Sequence, residues 1–309
     1  MVASTQSTPL RPGMMAVECS PQVAILGHQQ IDFSDLEWMP EDIRRMLGDP
    51  IGYEDPRVLA WTTGNSLIAR ILHENPASDA MLRWVYPDRN GSPLAQPLDR
   101  ILSRSPSGQA LRDRLDICSV WLAEHFVCPG SSVGDLGGGS ASYAFPAYAY
   151  KGGAPPGHIW EVVDLDPEAL AIAEQRARDL GFEEVVRMRR VNFMRSESVT
   201  VQHDFAVLIG VLCGMDITTA VRCLEAAKRH LKPGGEILAA TLLQRAFDED
   251  PRTFRVLCNV GGWQLRPKQL EQVLDIFRIA GWDVQSVFSE RAPYTPGSGQ
   301  YAIVHARAL

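Results

Sequence analysis

Two apolar periods divide the chain. From Gln22 to about Phe126 the pattern is helical, and Leu111, Leu115, Cys118, Leu122 and Phe126 fall four, three, four and four residues apart. On a helix of 3.6 residues per turn that spacing makes a single apolar stripe. No convincing strand interrupts this half. The Pro/Gly/Ser stretch from Pro87 to Gly108 predicts a long connection between helical pieces, and residues 1 to about 22, rich in Ser, Thr and Pro, predict a loose arm.

After Cys128 and Pro129 the period changes. SSVGDL, HIWEVVDLD, VVRMRRVNF, HDFAVLIGV, GEILAATLL, WDVQSVFSE and QYAIVHARA are apolar, β-branched runs of strand length. Helix-like stretches at Pro167–Gly181, Thr218–Leu231 and Pro267–Gly281 lie between some of them. Strands alternating with helices imply right-handed βαβ crossovers and a mostly parallel sheet. The last two runs are joined only by the turn-rich APYTPGSG, which predicts an antiparallel pair at one end of the sheet. The expected fold is α/β: a Rossmann-like seven-stranded, mostly parallel sheet with helices on both faces, preceded by an all-helical N-terminal cap. The expected boundary puts a cap or lid region at 1–106 and the sheet domain at 107–309.

Composition narrows the function. With 30 Lys+Arg against 37 Asp+Glu the net charge is −7, so no global positive field is available for a nucleic-acid backbone or an anionic membrane. No stretch approaches the ~20 apolar residues of a membrane span, and the first residues lack the apolar core of a signal peptide, so a cytoplasmic location is the expectation. The six cysteines are scattered with no C-x-x-C pair, which indicates neither a zinc site nor a disulfide framework, and no metal is expected.

The chemistry concentrates at strand ends. In Val133-Gly134-Asp135-Leu136-Gly137-Gly138-Gly139-Ser140-Ala141 a strand runs into glycines that permit a sharp turn and close approach to a ligand. Asp135 there can accept from a ligand ammonium or orient the loop. Asp164, 29 residues on, stands with Leu165 at the tip of the next strand, where a carboxylate accepts the hydroxyls of a ribose. Asp166 precedes Pro167 and reads as a helix N-cap. Asn192 and Phe193 end the third strand and offer an amide and a ring face to an adenine, while Ile209 and Gly210 end the fourth. Leu231-Lys232-Pro233-Gly234-Gly235-Glu236 is turn chemistry and needs no ligand.

Taken in order, these segments resemble the class I S-adenosylmethionine-dependent methyltransferase family over about 108–309. DLGGGSA stands at the family's D-x-G-x-G-x-G loop, VVDLDP at its acidic second motif and LKPGGEI at its post-helix turn. The resemblance implies S-adenosylmethionine as cosubstrate, with Gly137 and Gly139 under the methionine moiety, Asp164 on the ribose, Asn192 and Phe193 beside adenine, and Ile209 and Gly210 facing the amine. Ala141 replaces the family's third glycine. A dinucleotide oxidoreductase fits less well, because the sixth position from Gly137, where G-x-G-x-x-G needs glycine, is Ser142.

Leu212-Cys213-Gly214-Met215 carries no His, Asp or Lys where many small-molecule O-methyltransferases resemble one another in a histidine, and IGVLCGM lacks the Asn/Asp-Pro-Pro-Tyr/Phe motif of nucleic-acid amino-methyltransferases. No catalytic base is therefore identified. The expected activity is methyl transfer to a small, already nucleophilic metabolite in specialised metabolism. The alternative uses the same fold for aminocarboxypropyl chemistry: the cosubstrate's own amine closes a ring to azetidine-2-carboxylate and releases methylthioadenosine, an arrangement resembling azetidine-2-carboxylate synthases and, more distantly, nicotianamine synthases. A catalytically silent, ligand-binding fold is a third reading. Tyr53, Trp61, Asn65 and Tyr143 are the lid or substrate candidates, and Gly261-Gly262-Trp263 reads as a plain turn with a buried tryptophan. Partners reduce to a small-molecule acceptor, or none beyond S-adenosylmethionine, and helical N-terminal segments of this kind also form homodimer interfaces.

Overall fold

The computed structural model describes residues 40–48, 55–75, 78–87 and 97–309. Tyr53 and the N-terminal arm lie outside the described residues. The sheet contains β1 (Ser132–Leu136), β2 (Ile159–Asp164), β3 (Val186–Arg190), β4 (His203–Ile209), β5 (Leu231–Leu242), β6 (Trp282–Phe288) and β7 (Tyr301–Ala308). Their order is β3-β2-β1-β4-β5-β7-β6. The first five pair in parallel, while β7 runs antiparallel to both β5 and β6. The seven predicted runs are therefore the seven strands, and the closing antiparallel pair lies at one end of the sheet.

Strand residues alternate between two cores, as a pleat of period two demands of a sheet covered on both faces. Val162, Val207, Leu238 and Ala240 enter one core, and Val163, Leu208, Ile237 and Ala239 the other. The first core is shared with α6 (Pro106–His125), α7 (Ala144–Lys151) and α8 (Pro167–Leu180); the second with α9 (Ile217–Arg229) and α12 (Leu270–Ile279). Asp166 caps α8 by accepting from the Glu168 and Ala169 amides at 2.9 and 3.3 Å, and Pro167 occupies its first turn. Within β5, Lys232 to Gly235 bulge out of register with β4, and Gly234 takes φ +73°.

The cap is built from α1 (Glu41–Gly48), α2 (Pro56–Asn65), α3 (Leu67–Glu74), α4 (Leu82–Val85) and α5 (Pro97–Arg104). Ile68, Leu72, Val85, Leu98 and Leu102 join the same apolar core as Leu111, Leu115 and Cys118 of α6. The stretch read as a long connection before α6 thus contains a helix, whose Leu98, Ile101 and Leu102 spacing is masked by flanking Pro and Ser. Asp99 on that helix is 1% exposed and receives the Ser66 hydroxyl and the Leu67 and Ile68 amides at 2.5, 2.9 and 3.0 Å. A carboxylate there satisfies orphan donors and meets the positive end of α3. Two further short helices, α10 (Gln244–Glu249) and α11 (Pro251–Arg255), lead from β5 through a wide turn at Val256–Val260. The Asp250 carboxylate before α11 accepts from the Ser107 amide and hydroxyl at 3.1 and 2.8 Å, tying this excursion to the start of α6. No helix among the described residues is long and apolar enough to cross a membrane.

Candidate functional site

A cavity of about 850 Å³ opens at the C-terminal ends of β1, β2, β4 and β5, the end of a parallel sheet where ligands bind in open α/β folds. The cap covers it from one side. Gly137, Gly139, Asp164, Leu165, Ile209 and Gly210 all line it, so six of the sequence-predicted ligand residues are brought together. Asn192 and Phe193 are not among its lining. The Asn192 Oδ1 accepts from the Met194 amide at 3.0 Å, and Phe193 is buried with its carbonyl 2.9 Å from His230 Nε2. Those contacts draw the end of β3 toward the end of α9.

The glycine loop is held from below and above. Gly137 (φ +73°) and Gly139 (φ +54°) occupy the left-handed region, as does Ala141 at +58°. An L side chain pays for that conformation and glycine does not. The Gly137 amide donates to Val163 O at 2.7 Å. The Asp164 carboxylate accepts the Gly139 amide on Oδ2 at 2.8 Å and the Leu165 and Asp166 amides on Oδ1 at 2.7 and 2.9 Å. A carboxylate has about four acceptor positions. Three are used by backbone, which leaves capacity for a ligand hydroxyl on a group whose first task is to fix the loop.

Asp135 does not line the cavity. It lies 2% exposed behind the loop, accepting from Trp160 Nε1 at 3.2 Å, and a Cβ on Gly138 would stand 2.5 Å from its carboxyl carbon. The glycine loop therefore passes directly against this carboxyl, which faces Trp160 rather than the cavity. Burial raises its pKa to about 7, and the nearby Asp164 charge pushes the same way. Between the ordinary carboxylate range and about pH 7 the folded protein holds a proton that the unfolded chain has released. Stability therefore falls as pH rises through that window and levels off above it. Asp135→Asn keeps an acceptor for Trp160, so it is expected to flatten this dependence and to be the more stable protein at pH 8 by roughly 2–4 kcal/mol. Denaturant titrations of both proteins at pH 5 and pH 8 check this; equal pH slopes would assign the effect to another group.

Asp79 comes from the cap, on the single turn Asp79–Met81. Its Oδ2 accepts the Ser140 amide at 2.9 Å, and a Cβ on Gly139 would meet its carboxyl carbon at 2.9 Å. The cap thus closes directly on the loop through a residue that no motif in the sequence announces.

The remaining walls are apolar or aromatic. Leu111 of α6, Leu242 of β5, Phe254, Leu257, Trp263 and Tyr301 line the cavity away from the glycine loop. Gly262 at φ +66° turns the chain there, so Trp263, half-buried, borders the cavity rather than sitting in a plain turn. Among the lid candidates, Trp61 and Asn65 do not line the cavity, and the Asn65 amide is spent on Trp61 O at 2.8 Å. Tyr143 is also behind the wall. Its hydroxyl lies 3.2 Å from that of Tyr86 and accepts from Arg114 Nε at 3.1 Å. Arg114 itself lines the cavity, the one cation among the described residues that do so. No histidine is among them, and the short turn at Leu212–Gly214 contributes Cys213 and Gly214.

Residues 135–237 match the family model described as a methyltransferase domain. Compared by sequence with the curated proteins, the chain matches none. Among solved structures, a possible exported protein from Bordetella parapertussis is similar at 21% identity and TM-score 0.60, over 86% of each chain. The pyocyanin biosynthetic protein PhzM is similar at 16% identity and TM-score 0.53, over 89% of this chain and 74% of that one. Magnesium protoporphyrin IX methyltransferase from Synechocystis, with bound S-adenosylmethionine, is similar at 13% identity and TM-score 0.54, over 78% of this chain and 97% of that one. The matched domain contains the glycine loop, Asp164 and the end of β4, and the shared fold surrounds it. The chain thus carries a methyltransferase domain over residues 135–237, within a fold that the solved structures share.

Proposed function

We propose that the protein transfers the methyl group of S-adenosylmethionine to a small metabolite, one of specialised metabolism. The observation that carries this reading is the continuity of the cavity. One space runs from Gly137, Gly139 and Asp164 past Gly210 into a compartment walled by Leu242, Phe254, Leu257, Trp263 and Tyr301. Its volume is in the range of pockets that enclose drug-sized ligands, and its apolar end lies beyond the residues assigned to the cosubstrate. The structural relatives named for pyocyanin biosynthesis and for magnesium protoporphyrin IX lend support to a metabolite-sized acceptor.

The residues present fit the cosubstrate. Gly137 and Gly139 keep the loop free of side chains where a ligand would lie, Asp164 retains an acceptor for a ribose hydroxyl, and Leu165 offers an apolar face. When bound, S-adenosylmethionine supplies an electrophilic methyl group. Gly210, whose φ of +84° suits glycine, keeps the end of β4 free of a side chain where it lines the cavity. The three carboxylates that line the cavity, Asp79, Asp164 and Asp166, each accept backbone amides. They are occupied in holding structure rather than poised as a base. The acceptor is therefore one that arrives nucleophilic, so that placement and exclusion of water supply the rate.

Mass spectrometry of products tests this. With S-adenosylmethionine and a panel of small aromatic and carboxylate acceptors, S-adenosylhomocysteine and a methylated acceptor are expected. Methylthioadenosine formed without any acceptor would replace this reading with intramolecular cyclisation.

A further inference from the structure

Arg114 is a buried charge without a counter-charge among the described residues. It projects from the apolar face of α6, between Leu111 and Leu115, and is 3% exposed. Its Nε donates to the Tyr143 hydroxyl at 3.1 Å and its Nη2 to the Tyr86 hydroxyl at 3.0 Å, while the guanidinium carbon lies 4.5 Å from the centre of the Tyr301 ring. All three partners are phenols, and burial holds those of Tyr143 and Tyr301 in the neutral form. Among the described residues no carboxylate pairs with Arg114, and only its Nε and Nη2 have hydrogen-bond partners. Arg112, on the same helix and also buried, is a contrast. It spends its guanidinium on the Ser103 carbonyl at 2.7 Å and on Gln109 Oε1 at 3.0 Å.

An uncompensated buried cation is costly to keep unless something pairs with it. The open side of this one faces the cavity. A Cβ placed on Gly210 would still lie 3.8 Å from Nη1, so the guanidinium stands next to the end of β4, at the junction of the loop side and the apolar compartment. Two tyrosine hydroxyls and a ring face fix its plane, which prepares a fork for a planar anion.

We propose that Arg114 seats a carboxylate of a ligand bound in this cavity. The proposal rests on the methyltransferase reading for which ligands those are: the carboxylate belongs either to the acceptor or to the amino-acid end of the cosubstrate. An acceptor carboxylate would agree with a lining whose carboxylates, among the described residues, all accept backbone amides.

Calorimetric titration of the full-length protein tests it. S-adenosylhomocysteine is compared with its decarboxylated analogue, and benzoate with benzamide, the latter pair on both the free and the S-adenosylhomocysteine-loaded protein. If the acceptor carries the carboxylate, benzoate binds at least about 30-fold more tightly than benzamide, and Arg114→Gln erases the difference while leaving S-adenosylhomocysteine unaffected. If the cosubstrate carries it, decarboxylation weakens binding by about 30-fold or more, Arg114→Gln does the same, and benzoate and benzamide are indistinguishable. No preference for a carboxylate in either pair overturns the proposal and leaves Arg114 as a bracket for three tyrosine rings. The wild-type comparisons need no variant, so a poorly folding Arg114→Gln does not remove the test. Failure of S-adenosylhomocysteine to bind at all would count against the cosubstrate assignment, whereas the benzoate preference on free protein would still decide the role of Arg114.

Discussion

Gly139→Ala is expected to cost at least tenfold in affinity for S-adenosylhomocysteine, and Gly139→Val to abolish detectable binding, with the global fold retained in both. Two separate penalties act at this position. At φ +54° any L residue is strained, by about 1–2 kcal/mol. The added Cβ also stands 2.9 Å from the carboxyl carbon of Asp79, which real side chains do not tolerate without movement. Asp79 cannot simply withdraw, because its Oδ2 holds the Ser140 amide at 2.9 Å. A double-mutant cycle separates the penalties. Asp79→Ala in the Gly139→Ala background removes the carboxyl part of the collision, keeps the tight 3.0 Å approach of the residue's own Cβ and leaves the strain, so it should restore part of the lost affinity even though Asp79→Ala alone weakens the loop. Calorimetry gives the affinities and urea denaturation the stabilities. Strict additivity of the two substitutions would show that the cap does not bear on the loop at this point.

What the sequence disclosed and what it concealed follow from how far apart the cooperating residues lie. The strands were legible because a parallel sheet buried on both faces needs uninterrupted apolar runs, and HDFAVLIGV or QYAIVHARA have few other uses. The Gly137, Gly139, Asp164, Leu165, Ile209 and Gly210 positions were legible for a related reason: each sits at or just past a strand end, and the ends of β1, β2 and β4 must adjoin once the sheet forms. The other half of the cavity is assembled from the cap, the excursion after β5 and the start of β7, and no local pattern links those segments. Arg114 was hidden by its company. Between Asp113 and Leu115 on an otherwise ordinary helix it reads as a surface charge, whereas the fold turns it inward onto Tyr86, Tyr143 and Tyr301. Asp79 follows a helix end with nothing to mark it. The helix at Pro97–Arg104 was obscured because Pro and Ser signal turns locally, although here Pro97 opens the first turn and Leu98 and Leu102 supply the buried face. Asn192 and Phe193 stand apart from these. They follow a strand end in the expected register, but β3 is the sheet's edge strand, its end is tied to His230 and Arg229, and neither residue is among those lining the cavity.

Asp164 offers the sharpest discrimination between a residue that only binds a ligand and one that also shapes the site. Asp164→Ala leaves the Gly139, Leu165 and Asp166 amides without their acceptor and removes the charged partner expected for a ribose hydroxyl. Each lost hydrogen bond to a charged group is worth about 1.5–3 kcal/mol, partly recovered where water reaches the exposed Leu165. Affinity for S-adenosylhomocysteine should therefore fall by roughly 2–4 kcal/mol, or about 30- to 1,000-fold. The informative variant is Asp164→Asn. An amide can still accept from Leu165 and Asp166 through its oxygen, but its nitrogen then faces the Gly139 N–H, donor against donor, at a position now 2.8 Å from an acceptor. Were Asp164 concerned with the ribose alone, the amide would keep a large share of the affinity, since a carbonyl oxygen also accepts from a hydroxyl. Because both carboxylate oxygens are engaged by backbone, Asp164→Asn is expected to be nearly as damaging as Asp164→Ala, and hydrogen exchange at Gly139 should accelerate in both. Near-wild-type binding by Asp164→Asn would mean that the loop keeps its shape without this carboxylate, held instead by Asp79 at the Ser140 amide and by the Val163 carbonyl at the Gly137 amide.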